Sequence, residues 1–181
     1  MLATYRCNEI KDQALAHYEK EFTNFNKNTN NGLMSNFRLL CEDLSKKVLE
    51  IYDETAKNYF ERIYKEVREQ LNNYMLNQFY VGFTNQGRIL LPLSQKNLKK
   101  DIDSQLIVNE NFSEVVDKLK TTHLGYFVKF MKEIQLSEHW DLNMNSVVEI
   151  FEDIIANSRK IRLDEKKKEQ IVKIFLILEK N

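Results

Sequence analysis

Apolar residues recur along this chain at steps of three and four, the spacing of one face of an α-helix. From Tyr5 to Phe22 the stripe is Ile10, Ala14, Leu15, Tyr18 and Phe22. It gives way to an asparagine-rich stretch, Thr23 to Gly32. Asparagine side chains compete for backbone hydrogen bonds and Asn31-Gly32 tolerates positive φ, so this stretch is expected to be a loop. A second helix is expected to begin near Ser35, a suitable N-cap, and carries Phe37, Leu40, Cys41, Leu44, Val48, Ile51 and Tyr52 on one side. Tyr59, Ile63, Val67, Leu71 and Met75 continue the rhythm with no glycine or proline to break it. One long helix, or two meeting near Thr55 to Tyr59, fit equally well.

Val81 to Arg88 contains Gly82 and Gly87 and reads as a turn. Pro92 then suits the first turn of a new helix, where its missing N–H costs nothing, and Leu98, Ile102 and Leu106 continue that helix. Asn111 and Glu114 have capping-box spacing ahead of Val115, Val116, Leu119, Tyr126, Phe127, Phe130, Met131 and Ile134. A further start at Ser146 to Glu149 precedes Phe151, Ile154, Ile155 and Ile161, with breaks expected at Asn109–Asn111 and Asn143–Ser146. Asp164 is expected to cap a last helix holding Ile171, Val172, Ile174, Phe175 and Leu178. No fixed-period repeat supports a solenoid. The pattern predicts an all-α fold, a multi-helix bundle of about five to seven helices that begins with an antiparallel helical hairpin. In that hairpin Ala14, Leu15 and Tyr18 are expected to pack on Leu44, Val48, Ile51 and Tyr52. Residues 1–108 form one expected helical bundle and 109–181 a distal helical region, continuous with the first or separate from it.

Composition sharpens the class. Four glycines and one proline in 181 residues leave little for the turns of a β fold, while 43% hydrophobic and 30% charged residues argue against disorder. Lys plus Arg and Asp plus Glu number 27 each, so the chain lacks the positive excess that a nucleic-acid binder normally shows, and no nucleic-acid partner is expected. Arg159 to Arg162 and Lys166 to Lys168 form a local basic stretch, interleaved with Asp164, Glu165 and Glu169 as on a solvated helix face. Cys7 and Cys41 sit in amphipathic patterns and read as packed thiols. The first residues lack the apolar core of a signal peptide, and the longest apolar run, Ile174 to Leu178, is too short to span a bilayer. The C-terminal Leu178 to Asn181 has no prenylation cysteine. Cytoplasmic placement is expected.

Chemistry is hard to find. His17, His123 and His139 have no His or Cys partner at ligand spacing, so no metal site is assigned. Glu138-His139-Trp140 is better read as an inter-helix cap with Trp140 as packing anchor than as a polar site. There is no GxxxxGK[ST] loop and no nucleophile elbow. The aromatic series Tyr59, Phe60, Tyr64, Tyr74, Phe79, Tyr80 and Phe83 lacks a basic groove beside it and reads as packing rather than base stacking. No catalytic, cofactor-binding or metal-binding residue is assigned, and no cofactor is expected.

Three stretches, in order, carry a family resemblance. Cys7 to Tyr18 is similar to the helix that follows the GTPase domain in the guanylate-binding-protein/atlastin family, with an acidic, an apolar and a basic residue leading into Ala14-Leu15 and an aromatic. Leu44 to Glu54 resembles the next helix of that family's middle bundle. Gly82 to Arg88, through Leu98-Lys99-Lys100, looks like its glycine-bearing turn and following helix. The resemblance covers roughly residues 5 to 102; the asparagine-rich segment is longer than the family's pattern, and the match fades after Asp103.

The resemblance implies a helical middle or stalk module of a large dynamin-like GTPase, with residues 1–108 as the middle-domain part and a GTPase domain belonging upstream. GTP binding and hydrolysis would be the parent's activity, not this chain's. The implied partners are that GTPase domain, further copies of the module and a membrane surface, which would make placement peripheral at membranes. A bundle with two packings of similar energy suits such a relay, because a partner can bias one of them. The alternative is a stand-alone helical interaction or scaffold protein with no nucleotide link. A small membrane-dependent effector has only the Ile174 to Leu178 run in its favour.

Overall fold

The structure, a computed structural model, describes residues 2–105 and 111–178. Five α-helices follow in order: α1 (Leu2–Asn31), α2 (Phe37–Ala56), α3 (Glu61–Gln105), α4 (Phe112–Ile134) and α5 (Met144–Leu178). No strand occurs among the described residues. The chain forms two compact units, one of residues 1–90 and 130–142, the other of 91–129 and 143–181.

In the first unit α1 and α2 form the expected antiparallel hairpin. Cys7 meets Tyr52, Tyr18 lies beside Cys41, and Phe25 packs on Phe37 with ring centroids 5.4 Å apart. Rising numbers on one helix thus meet falling numbers on the other. Ala14, Tyr18, Leu44, Val48 and Tyr52 are buried, whereas Leu15 and Ile51 sit half-buried at the margin. The first half of α3 closes a three-helix arrangement with Val67, Leu71, Met75, Phe79 and Phe83. These positions step by four, and a four-residue step drifts about 40° around the helix. The buried stripe therefore winds around α3 and meets different neighbours in turn. Near Asp53, Tyr64 and Arg68 reach α2; at Phe79, Tyr18, Phe22 and Phe25 of α1 surround the ring at 5.9 Å each.

In the second unit the end of α3, most of α4 and α5 pack around Leu98, Ile102, Phe112, Val116, Phe127, Val147, Phe151 and Ile155. Polar ties cross the helices at the rim. His123 contacts Asp101 at 2.8 Å, Arg159 forks onto both Asp117 oxygens at 2.8 and 2.7 Å, and Lys120 pairs with Glu152.

Several local expectations are corrected. The asparagine-rich stretch is not a loop, because α1 runs on to Asn31. Phe25 lies inside it, and burying its ring against Phe22 outweighs the few tenths of a kcal/mol that each asparagine costs a helix. The second helix starts at Phe37, with Asn36 rather than Ser35 in the cap position. Of the two options near residue 57, the structure takes two helices: α2 ends at Ala56 and α3 begins at Glu61. Val81 to Arg88 is not a turn, nor does Pro92 open a helix; both lie inside α3. The two glycines serve as close-contact points instead. A Cβ on Gly82 would lie 2.9 Å from Phe37 Cε2, and one on Gly87 3.3 Å from Leu142 Cδ2. Helix α5 starts ahead of Ser146: Asn143 caps it, its Oδ1 accepting from the Ser146 N–H at 3.3 Å. Asp164 caps nothing and lies within the unbroken α5. An interior aspartate costs a helix little, and no glycine or proline follows to enforce a stop. Leu106, Asn109 and the side chains of the run 174–178 lie outside the described residues.

Candidate functional site

The three histidines occupy separate places. His17 lines a cleft between α1 and α2, His123 is tied to Asp101 in the second unit, and His139 lies on the connection after α4 beside Trp140. Among the described residues no group of three His, Cys, Asp or Glu side chains converges as metal ligands would. Both cysteines are buried and free, and burial pushes the Cys41 thiol well above its ordinary range, so it is a packed neutral group rather than a nucleophile.

The α1–α2 cleft encloses about 510 Å³ between His17, Glu21, Asn24, Phe25 and Asn28 on one helix and Leu40, Asp43, Leu44 and Lys47 on the other. Lys47 donates to Asp43 at 2.7 Å, and this bond, with a smaller contribution from Glu21, holds the ammonium protonated. The cleft has an apolar floor and a charged rim, a composition for contacting a surface. Nothing in it aligns a nucleophile with a base.

A second cleft of about 500 Å³ is lined by Asn73, Leu76, Asn77, Tyr80, Ser137, His139 and Trp140. Trp140 packs against Tyr80 and Phe83 at 5.8 and 5.3 Å, so it anchors the connection after α4 onto α3. Gln135 Nε2 donates to the carbonyls of Ser137 and Trp140, both at 2.8 Å, and fixes that connection. The aromatic series behaves likewise: Phe79 and Phe83 are buried, Tyr64 stacks on Tyr52, and Tyr74 meets Tyr18 edge-on, while Phe60 stays exposed.

Sequence reasoning missed the two polar clusters that join the hairpin to α3. Gln86, fully buried, accepts from the Met34 N–H at 2.7 Å and donates to the Gly32 carbonyl at 3.1 Å, clamping the α1–α2 connection. The signal was available, since Gln86 is a polar residue three positions after Phe83 on the apolar stripe of α3. At the opposite end of α2, Asp53 accepts from Arg68 Nε at 2.8 Å, from Arg68 Nη2 at 3.0 Å and from the Tyr64 hydroxyl at 2.6 Å. That last bond raises the Tyr64 pKa. The Tyr52 hydroxyl donates to the Tyr64 carbonyl at 3.1 Å. No signal in the spacing pointed to this cluster. What these residues build in the first unit is a helical bundle cross-braced by buried aromatic rings and by these polar ties.

Comparison with known proteins agrees with that character. The family model described as the Sey1 three-helix bundle domain matches residues 35–180. Protein SEY1 of Mycosarcoma maydis is 28% identical over 174 residues, covering 93% of this chain and 20% of that protein. Protein SEY1 homolog 2 of Paramecium tetraurelia is 24% identical over 124 residues, covering 68% of this chain and 16% of its own length. This chain thus spans a fifth or less of these relatives. No solved structure matches. The family match includes the distal region where the resemblance faded, whereas the Cys7 to Tyr18 stretch lies ahead of it.

Proposed function

From the premise that the chain belongs to the Sey1 three-helix bundle domain family, a helical region of atlastin-like GTPases, we propose that it acts as the stalk of a large dynamin-like GTPase. In this reading it relays nucleotide-driven dimerisation of a GTPase domain, elsewhere in the parent protein, into self-assembly or engagement of a membrane surface. The chain itself does no chemistry on the nucleotide. The observation that carries the reading is the family match over residues 35–180 on an all-helical scaffold. Supporting it, aromatic and polar contacts brace α1, α2 and the first half of α3 against one another. A stalk needs that kind of construction: stiff elements, cross-braced, with surfaces left for neighbours.

The test pairs this chain with a separately purified GTPase domain of a Sey1-family protein. Light scattering and cross-linking would compare no nucleotide, GDP and a GTP transition-state analogue. The expected result is association of the two that is strengthened by the analogue, together with no heat of GTP binding to the chain alone. Association equal in all three nucleotide states, or micromolar GTP binding by the isolated chain, would overturn the proposal.

A further inference from the structure

Three stretches of chain pass between the two compact units: α3 between residues 90 and 91, α4 between 129 and 130, and the non-helical connection between 142 and 143. The two helical passages carry the residues least suited to a helix. Pro92, the only proline in the chain, lies beside the first, and Gly125 lies about one turn before the second.

Neither residue is explained by packing. Pro92 is exposed, inside α3. Its ring has no N–H to offer the carbonyl of Arg88 and crowds that carbonyl as well, so the hydrogen-bond ladder is interrupted there. Gly125 is also exposed; a Cβ placed on it would meet nothing within 4 Å, and its φ is not positive. Alanine would fit without strain and would stiffen the helix. Gly82 and Gly87 differ, because buried side chains approach both of them closely. The third passage is already free of helix, with Leu142 and Asn143 in irregular backbone.

We propose that these passages form a built-in hinge, in which Pro92 and Gly125 soften the two helices near the points where the chain passes from one unit to the other. Each unit keeps its own core while the joining segments bend. The inference stands on the fold of this chain and is independent of the GTPase reading.

Spin labels test it directly. Lys46→Cys in the first unit and Lys160→Cys in the second, both exposed, form the cross-unit pair; Lys20→Cys with Lys46→Cys forms a reference within the first unit. The native Cys7 and Cys41 are buried and stay in place. Electron–electron double resonance should give a cross-unit distance distribution about twice as wide as the reference or more, as expected of a collective hinge. The distribution should narrow towards the reference in Pro92→Ala/Gly125→Ala. In Pro92→Ala, amide exchange at residues 93–96 should slow by about tenfold or more, showing that the helix has been repaired. A wild-type distribution as narrow as the reference overturns the hinge. So does a broad distribution that keeps its width once exchange shows both helices stiffened.

Discussion

Gly82 and Gly125 invite the same substitution with opposite outcomes. Both lie in helix interiors, so replacing either with alanine gains about 1 kcal/mol of helix propensity. At Gly125 nothing opposes that gain, and Gly125→Ala should raise stability by about 1 kcal/mol or slightly less. At Gly82 the new methyl would stand 2.9 Å from Phe37 Cε2, 3.2 Å from Phe37 Cζ and 3.8 Å from Phe25 Cε1. Phe37 cannot swing aside easily, because it is fully buried and packs against Phe25. Overpacking of this kind costs about 1–3 kcal/mol, so Gly82→Ala should come out neutral to about 2 kcal/mol destabilising. The propensity gain cancels in the comparison, leaving a gap between the two variants of about 1–3 kcal/mol. Urea melts followed by far-UV circular dichroism read both variants, and fluorescence of Trp140, the only tryptophan, reports on the unit that contains Gly82. Shortening the obstructing ring with Phe37→Leu should recover part of the Gly82→Ala loss in a double-mutant cycle. If Gly82→Ala raises the midpoint as much as Gly125→Ala does, the close contact with Phe37 is not real.

The Gln86 clamp should be costly to remove: Gln86→Leu strands the Met34 N–H and the Gly32 carbonyl, and a loss of about 2 kcal/mol or more is expected by Trp140-monitored urea melts. Val48→Ala, which empties a fully buried site in the hairpin, should cost about 2 kcal/mol, while the exposed Lys46→Ala should stay within about half a kcal/mol; equal midpoints would remove Val48 from the core. Burial raises the Tyr18 and Tyr52 phenols and the Cys41 thiol well above their ordinary values. The folded state therefore favours their neutral forms, and their contribution is complete below the unfolded pKa values, about 8.5 for the thiol and about 10 for the phenols, and is lost as pH rises towards the folded ones. Urea midpoints should fall between pH 8 and pH 11, and less steeply in Tyr18→Phe, which also removes a buried hydroxyl with no hydrogen-bond partner among the described residues. An unchanged midpoint up to pH 11 would contradict the burial of these groups.

The fold class and the opening hairpin were legible in the sequence because both rest on periodicity, and burial follows periodicity closely. Cys41, Leu44, Val48 and Tyr52 are buried as their spacing requires. Punctuation was harder to read. Gly82, Gly87 and Pro92 look like a turn and a helix start, yet all three lie within α3. A glycine that ends a helix and one that admits a neighbouring ring are identical in one dimension; the ring of Phe37, 45 positions away, separates them. Asn24, Asn26 and Asn28 misled for a related reason, since local propensity is worth tenths of a kcal/mol and the burial of Phe25 is worth more. Gln86 and the Asp53–Arg68 pair depend on contacts between distant positions, so the sequence could at most flag Gln86 as a polar residue on an apolar stripe.

The polar contacts differ in how far they are shielded from water, which bears on how a helical module of this design would respond to load. In the first unit the Asp53 and Arg68 side chains are 30% and 38% exposed, but the bonds to the Met34 N–H and the Gly32 carbonyl are made by Gln86, which is fully buried. Such bonds are directional and hold one geometry, because a displaced partner leaves an unpaired group out of water. In the second, the ties between α4 and α5 are ion pairs, with the Arg159 and Asp117 side chains 43% and 52% exposed. Exposed pairs contribute about 0–1 kcal/mol and re-form readily with water or with a neighbouring charge. Losing the Gln86 clamp therefore costs more polar energy than losing the Arg159–Asp117 pair. On the proposed relay reading, the end of the hairpin held by Gln86 is the part that keeps its shape when a partner domain moves.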